Sequence, residues 1–420
     1  MNTIEQQSIA PVQSGQRIPV IDILRGFAIF GILLVNMEFF NNSVFSYVIG
    51  LDKPNNVIDQ LGRWFIAFFG EGKFYSIFAF LFGLGMAIQL HRAQEKGTRF
   101  APFFLKRMLI LLLIGLIHAY LFWTGDILIL YSVLGIALVL LFRNCRPKTL
   151  FIWTLVCLSI PILINGALFG IVELGKMAPD GEKMMTKTFA EQEDILKSAA
   201  DKADHTYAAG TFVEITRQRI GDMNYMYSLW PFMVFNILAM FLLGLAVGKK
   251  RIFDNIQDNL PLIRKVLIWG LIVGVMGNLL YVVAGESAHR FIPSAPLMIS
   301  LIGQTFGAPA LALFYMASIT LLSQKPSWQP RLNPLASVGR MAITNYLLQT
   351  VICTFLFYGY GFGLYGKIGV AAGILLTVLI YLIQIPTSVW WLKRFRFGPV
   401  EWVWRTLTYG QRQPMKSSMT

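Results

Sequence analysis

The stretch Asp22-Ile23-Leu24-Arg25-Gly26-Phe27-Ala28 opens an apolar run that continues to Phe40. Two opposite charges stand at the mouth of a segment that otherwise reads as a membrane span. Three residues apart on a helix, Asp22 and Arg25 share a face and can pair. Gly26 lets a second backbone come close. Charge in a membrane helix is costly, so it needs a partner or a task. Two readings stand. The pair is a helix-end salt bridge, or Arg25 takes the phosphate of a substrate, for which an arginine fork suits better than a lysine.

Composition points the same way. Of 420 residues, 55% are hydrophobic and only 14% are charged, with a mean hydropathy of +0.59. Soluble domains are about a quarter charged. The 33 Phe and 10 Trp suit lipid-facing surfaces and interfacial belts. The cysteines Cys145, Cys157 and Cys353 fit no zinc spacing and read as small buried apolar residues. No P-loop, Gly-x-Ser-x-Gly or His-Glu-x-x-His is present, so neither a metal site nor a serine nucleophile is expected.

A span needs about 20 mostly apolar residues. Ten candidates emerge: 21–40, 64–90, 106–123, 126–142, 149–172, 229–248, 266–284, 296–322, 341–360 and 369–392. With the N-terminus inside, the inner connectors 91–107, 143–148, 249–265, 323–340 and 393–420 hold 5, 3, 5, 3 and 6 Lys/Arg. The outer connectors 41–63, 173–227, 285–295 and 361–368 hold 2, 7, 1 and 1. Long loops cross with little regard to charge, and every short connector obeys the positive-inside rule. The expected fold is therefore an all-α integral membrane protein of about ten transmembrane helices. Both termini are cytoplasmic, one long loop lies outside, and the first span is its own uncleaved insertion signal. The net charge of +14 then sits in connectors between spans, which argues against nucleic acid as a partner and for the lipid bilayer.

The expected organisation is a cytoplasmic arm (1–20), a five-helix membrane half (21–172), an extracytoplasmic polar segment (173–228), a second five-helix half (229–392) and a basic aromatic tail (393–420). The polar segment reads as a helical hairpin standing on the membrane, or as a lid lined by Tyr207, Tyr225 and Tyr227. In the tail, a helix from Pro399 reads as amphipathic and interfacial.

Polar groups inside the apolar runs are the candidate site residues. Phe69-Gly70-Glu71-Gly72-Lys73-Phe74 flanks a charged pair with glycines. On a regular helix Glu71 and Lys73 point apart. A glycine break would let irregular backbone line a cavity, and the alternative is a simple turn at the interface. His118 alone among the four histidines lies within an apolar run. It is either a hydrogen-bonded packing residue or a general base. Asp126 either orients it across the hairpin or caps the fourth span. Asn345 and Gln349 share a helix face near Thr344, with Gln384 as a possible partner. They read as interhelical glue or as contacts to a polar small-molecule substrate.

Several stretches taken together resemble one family. They are Asp22-Ile-Leu-Arg25-Gly26-Phe-Ala28, Gly70-Glu71-Gly72-Lys73-Phe74 with Phe82-Gly83-Leu84-Gly85, His118 with Gly125-Asp126-Ile127-Leu128, Gly339-Arg340-Met-Ala-Ile-Thr-Asn345-Tyr346-Leu-Leu-Gln349, and Phe395-Arg-Phe-Gly398-Pro399-Val-Glu401-Trp402-Val-Trp404-Arg405. In this order they resemble the YeiB-type family of bacterial multipass inner-membrane proteins, which have been labelled as transport-related. The resemblance implies the bacterial cytoplasmic membrane. The first span also resembles that of the membrane acyltransferase superfamily, which includes heparan-glucosaminide N-acetyltransferase and surface-glycan acetylases. That likeness implies acyl-CoA as the donor substrate and an acceptor across the membrane. Those enzymes use a histidine at or just after the outer end of the first span. Here Asn36, Asn41 and Asn42 occupy that region. Either His118 has taken the role or the catalytic function is absent.

Three functions are compatible with this reading. In a membrane acyltransferase, Asp22 and Arg25 sit at the donor phosphates, His118 and Asp126 are catalytic, and Glu71, Lys73, Asn345 and Gln349 line the acceptor path. In a transporter of a small polar solute, the same charges form a translocation site. In a non-catalytic envelope protein, segment 173–227 is a docking surface.

Overall fold

The computed structural model describes residues 18–50, 54 and 56–416. Residues 1–17 of the expected N-terminal arm and 417–420 of the tail lie outside the described residues. Helices make up the chain: α1 (Pro19–Asn41), α2 (Val44–Ile49), α3 (Val57–Phe65), α4 (Lys73–Glu95), α5 (Phe100–Leu121), α6 (Leu128–Ala137), α7 (Pro147–Lys176), α8 (Gly181–Ala209), α9 (Phe212–Lys249), α10 (Leu260–Glu286), α11 (Ala295–Ser323), α12 (Gln329–Arg340), α13 (Ala342–Phe357), α14 (Val370–Arg394) and α15 (Pro399–Tyr409). Wider π turns at Ile66–Gly70 and Leu138–Phe142 extend α3 and α6. No strand occurs among the described residues.

Each of the ten apolar runs falls on helix, but not every helix is long. Among the described residues, seven helical stretches are long and apolar enough to cross a membrane, and α9, bent by 59° after Pro231, brings the number to eight when its two parts are taken as one span. A proline inside a helix removes a hydrogen bond and kinks it. The runs Leu128–Phe142 and Ala342–Phe357 are shorter apolar helices. The first rises about 22 Å, less than the about 30 Å of a hydrocarbon core. Many apolar side chains face outward, as on α10, where Trp269, Met276 and Leu279 are exposed. Such faces suit a lipid solvent.

Small residues set the closest crossings. A Cβ on Gly26 would lie 2.0 Å from the Leu335 carbonyl oxygen, and one on Gly339 would lie 1.9 Å from that of Asp22. The start of α1 therefore packs backbone to backbone on α12. Gly83 of α4 and Gly244 of α9 interlock the same way, each within 1.9 Å of an opposing carbonyl oxygen. Without these glycines the helices would stand a side chain apart, and dispersion contacts fall steeply with a gap.

The bundle has two distinct ends, separated by the length of α1. At one, α8 and the start of α9 form a helical hairpin. A Thr211–Glu214 capping box starts α9. Asp204 of α8 fastens the hairpin by accepting hydrogen bonds from the Ser43 backbone N–H (3.1 Å), the Ser46 hydroxyl (2.7 Å) and the Tyr365 hydroxyl (2.8 Å). At the opposite end, which carries the basic connectors, α15 folds back under α13. Glu401 accepts from the backbone N–H groups of Ile343 and Thr344 at 2.7 and 3.0 Å and from the Thr344 hydroxyl at 2.5 Å. It thus caps the N-terminus of α13 from another helix, where a carboxylate is electrostatically favoured.

Candidate functional site

A cavity of about 300 Å³ opens at the basic end. Asp22 and Arg25 both line it, paired at 2.9 Å. The spacing of three on α1 produces that pair. Gly85 of α4 faces it, with its Cβ position 3.6 Å from Arg25 Nη2. Arg92, Arg107, Arg340, Arg396 and Arg405 also line the mouth, and among the described residues the carboxylates that face them there are those of Asp22 and Glu401. Trp404 packs its ring 3.7 Å from the Arg107 guanidinium carbon and donates its indole N–H to the Arg107 carbonyl at 3.0 Å. This contact holds α15 against α5 and sets one wall. Burial pushes the Glu401 carboxyl above its ordinary value, against the pull of its bonds to Thr344 and Ile343.

Further in, the walls turn apolar. Ile29, Ile32, Phe78, Leu81, Met108 and Leu111 are among the lining residues. From Asp22 to Ile32 along α1 the cavity runs about 15 Å, at 1.5 Å per residue. Its deep wall includes Ile127, Leu128 and Tyr346. The result is an amphiphilic slot, arginine-rich at the mouth and hydrocarbon-like inside.

Immediately behind Tyr346 lies the histidine. The His118 and Tyr346 rings are 5.1 Å apart, centre to centre. His118 Nδ1 is 2.6 Å from Asp126 Oδ2, and Nε2 is 2.9 Å from the Thr350 hydroxyl. Asp126 Oδ1 also accepts the Ile129 N–H at 2.8 Å, so one carboxylate both orients the imidazole and caps α6. Both ring nitrogens are thus engaged, Nδ1 by Asp126 and Nε2 by Thr350. All three side chains are closed off from solvent.

The other candidates occupy separate places. Asn345 donates to the Val338 carbonyl (3.2 Å) and Ser388 (3.1 Å), and Gln349 donates to Gln384 (2.8 Å), so these amides knit α13 to α14. Glu71 and Lys73 flank a true helix break at Gly72, whose φ is +84°. A Cβ is strained there. Lys73 is wholly buried and donates to the Ala67 carbonyl at 2.7 Å, a group left over by the break. Glu71 accepts from Arg63 and Tyr281, and Arg63 also pairs with Glu38 at 2.7 Å. This ionic cluster shares no residue with the arginine-lined cavity. The structure thus brings Asp22 and Arg25 to the cavity and sets His118 and Asp126 behind its Tyr346 wall, outside the lining. It places Glu71 with Lys73, and Asn345 with Gln349, elsewhere.

Sequence reasoning missed Arg92, Arg340, Arg396, Arg405, Tyr346 and Thr350 as neighbours of one site. The interleaved arginines and aromatics of 394–405 were a signal for the mouth. Thr350 lies 232 residues from His118 and carried none.

These features define a multihelix protein with membrane-capable helices and a basic, amphiphile-shaped cavity backed by an Asp–His–Thr chain. A family model described as "Protein of unknown function (DUF418)" matches residues 247–411. The chain is 35% identical over 432 residues to Uncharacterized protein YxaH of Bacillus subtilis (strain 168), covering 97% of this chain and 98% of that protein. It is 29% identical over 409 residues to the Uncharacterized 39.9 kDa protein in amylase 3'region of Bacillus acidopullulyticus, covering 96% and 97%. It is 29% identical over 410 residues to Uncharacterized protein YeiB of Escherichia coli (strain K12), covering 94% and 96%. The chain belongs to this YeiB-type, DUF418 family.

Proposed function

We propose that the protein is a bacterial membrane acyltransferase that takes its acyl donor from the cytoplasm. In this reading α6 with its π turn, together with α13, completes ten crossings. The basic end and both termini face inward, in keeping with the Lys/Arg-rich short connectors. The observation that carries the proposal is the cavity. Its arginine mouth suits the phosphates of acyl-CoA, its apolar depth suits the acyl-bearing arm, and its blind end meets Tyr346 and, behind it, His118.

The transfer is direct. The acceptor hydroxyl or amine attacks the thioester carbonyl carbon as Nε2 of His118 takes its proton. The new acyl bond forms, the C–S bond breaks, and the proton passes from His118 to the departing CoA thiolate. Asp126 steadies the imidazolium between the two transfers. Thr350 must turn aside for this, and so must Tyr346.

The test is incubation of purified protein with labelled acetyl-CoA and an envelope extract. Label should move to an acceptor, or be released to water without one, in the wild type and not in His118→Ala. Absence of transfer, hydrolysis and CoA binding together would remove the proposal. A transporter is the second reading, supported by the Glu38–Arg63–Glu71–Lys73 cluster lying apart from the cavity. Solute flux in proteoliposomes that Lys73→Ala abolishes, and that ignores acyl-CoA, would favour it.

A further inference from the structure

We propose that Arg219 anchors a carboxylate-binding site at the α8 end of the bundle, separate from the arginine-lined cavity. Arg219, in the first half of α9, is 0% exposed. Its Nη1 reaches the Tyr120 carbonyl at 3.4 Å, a long bond to the last turn of α5. Its Nε and Nη2 meet no protein acceptor among the described residues. Capping α5 is thus a role for one nitrogen only.

The two remaining nitrogens form one edge of the guanidinium, the edge that grips a carboxylate with two parallel bonds. Tyr207, Tyr358 and Tyr360 stand close enough to interact with the Arg219 charge. Asp222, one turn along, is also near. Its two oxygens are already taken by the Tyr207 hydroxyl and the Gln218 amide, both at 2.8 Å. It balances charge at a distance and leaves the fork open. A singly charged, planar carboxylate neutralises Arg219 in one contact. A phosphate dianion would bring surplus negative charge beside Asp222 into a buried place.

The site does not depend on acyl transfer, and its test uses none. Purified full-length protein is titrated with lactate, glucuronate and inorganic phosphate, and binding is read by calorimetry. Saturable binding of a carboxylate is expected, at least tenfold tighter than phosphate. Tighter lactate assigns the group to a free small acid, and tighter glucuronate to a sugar acid. Arg219→Lys keeps the charge but not the fork, and should lose this binding while CoA binding is unchanged. A measurement on the wild type covers the case in which that variant does not fold. Arg219 modification by phenylglyoxal, read by mass spectrometry, should slow when the carboxylate is present. The proposal falls if no carboxylate binds saturably, if Arg219→Lys binds equally, if the carboxylate gives no protection, or if a structure at saturating carboxylate shows only ordered water on Nε and Nη2.

Discussion

His118 and Asp126 face each other across the turn between α5 and α6, with Nδ1 2.6 Å from Oδ2 and both side chains shut away from solvent. Asp126→Asn keeps an acceptor for the Ile129 N–H but offers the imidazole no carboxylate. If the pair works as proposed, Asp126→Asn and His118→Ala each lower acetyl transfer by about 10²–10⁴-fold, the usual weight of a general base. Breaking a buried pair costs about 3–5 kcal/mol. Thermal unfolding must therefore be followed alongside, at a temperature where both variants are folded. Transfer by folded His118→Ala within threefold of wild type would exclude the histidine as base.

The contact of Gly26 with Gly339 gives a stability prediction independent of function. A methyl group at either position would sit about 2 Å from an opposing carbonyl oxygen. Gly26→Ala and Gly339→Ala should each cost about 1–3 kcal/mol through overpacking. Gly170, with nothing within 4 Å of its Cβ position, is the control. Gly170→Ala should be neutral or stabilising, since alanine is the better helix former by roughly 0.5–1 kcal/mol. Unfolding midpoints in one detergent decide it, and equal effects at all three positions would contradict the packing argument.

Local spacing made part of this legible before any fold was known. Asp22 and Arg25 pair because three residues span one helical turn. Gly72 marks a break because glycine tolerates a positive φ. His118 and Asp126 meet because a tight hairpin joins them. Contacts across the bundle were not legible. Nothing near His118 announces Thr350, and nothing near Glu71 announces Tyr281, 210 residues away. The amides of Asn345 and Gln349 were found, but their shared face turns to α14 rather than to the cavity. Hydropathy located every apolar run. The run 126–142 is bounded by Asp126 and Arg143 and was short from the start, whereas the early end of α13 at Phe357 was hidden because apolar composition continues through Tyr358 to Leu364.

The mouth arginines should behave as phosphate ligands. Arg25→Gln and Arg405→Gln are each expected to weaken CoA binding by tenfold or more, since a bond to a charged group is worth about 1.5–3 kcal/mol. Raising salt should weaken wild-type binding as well. Arg251, exposed and paired with Asp254 at 2.6 Å outside the cavity, is the control. Equilibrium binding of labelled CoA reads all three, and unchanged affinity in Arg25→Gln and Arg405→Gln would move the phosphates elsewhere.

Glu401 predicts a pH dependence. Burial, the largest influence, raises its carboxyl above the ordinary 4.5, so the folded state holds the proton more tightly than the unfolded chain. Stability from this group is present below pH 4.5 and is lost as pH rises through the folded value. The wild type should therefore lose unfolding temperature over that window, and Glu401→Gln should lose less. The glutamine keeps one acceptor for the α13 N–H groups. A steeper slope in Glu401→Gln would show that the ionised form is the favoured one.

Tyr346 is the partition between the cavity and the histidine. The residue lines the deep wall, its ring lies 5.1 Å from the His118 ring, and its hydroxyl meets the backbone of the turn at the Gly125 carbonyl (3.3 Å) and at Ile127. Each such bond is a modest restraint, worth about 0.5–1.5 kcal/mol. Tyr346→Phe removes both and keeps the ring. The ring should then swing more readily, and access to His118 should rise modestly. Tyr346→Ala removes the wall, joins the cavity to the imidazole, and should let water reach it. Diethylpyrocarbonate labelling of His118, followed by mass spectrometry, reads access directly and needs no knowledge of the acceptor. The expected order is wild type slowest, Tyr346→Phe faster and Tyr346→Ala fastest, with saturating CoA protecting all three. In the transfer assay Tyr346→Ala should hydrolyse acetyl-CoA faster while transferring less, because water now competes with the acceptor. Labelling that is equally slow in all three proteins would mean that His118 does not communicate with the cavity, and would return it to a packing role between α5 and α13.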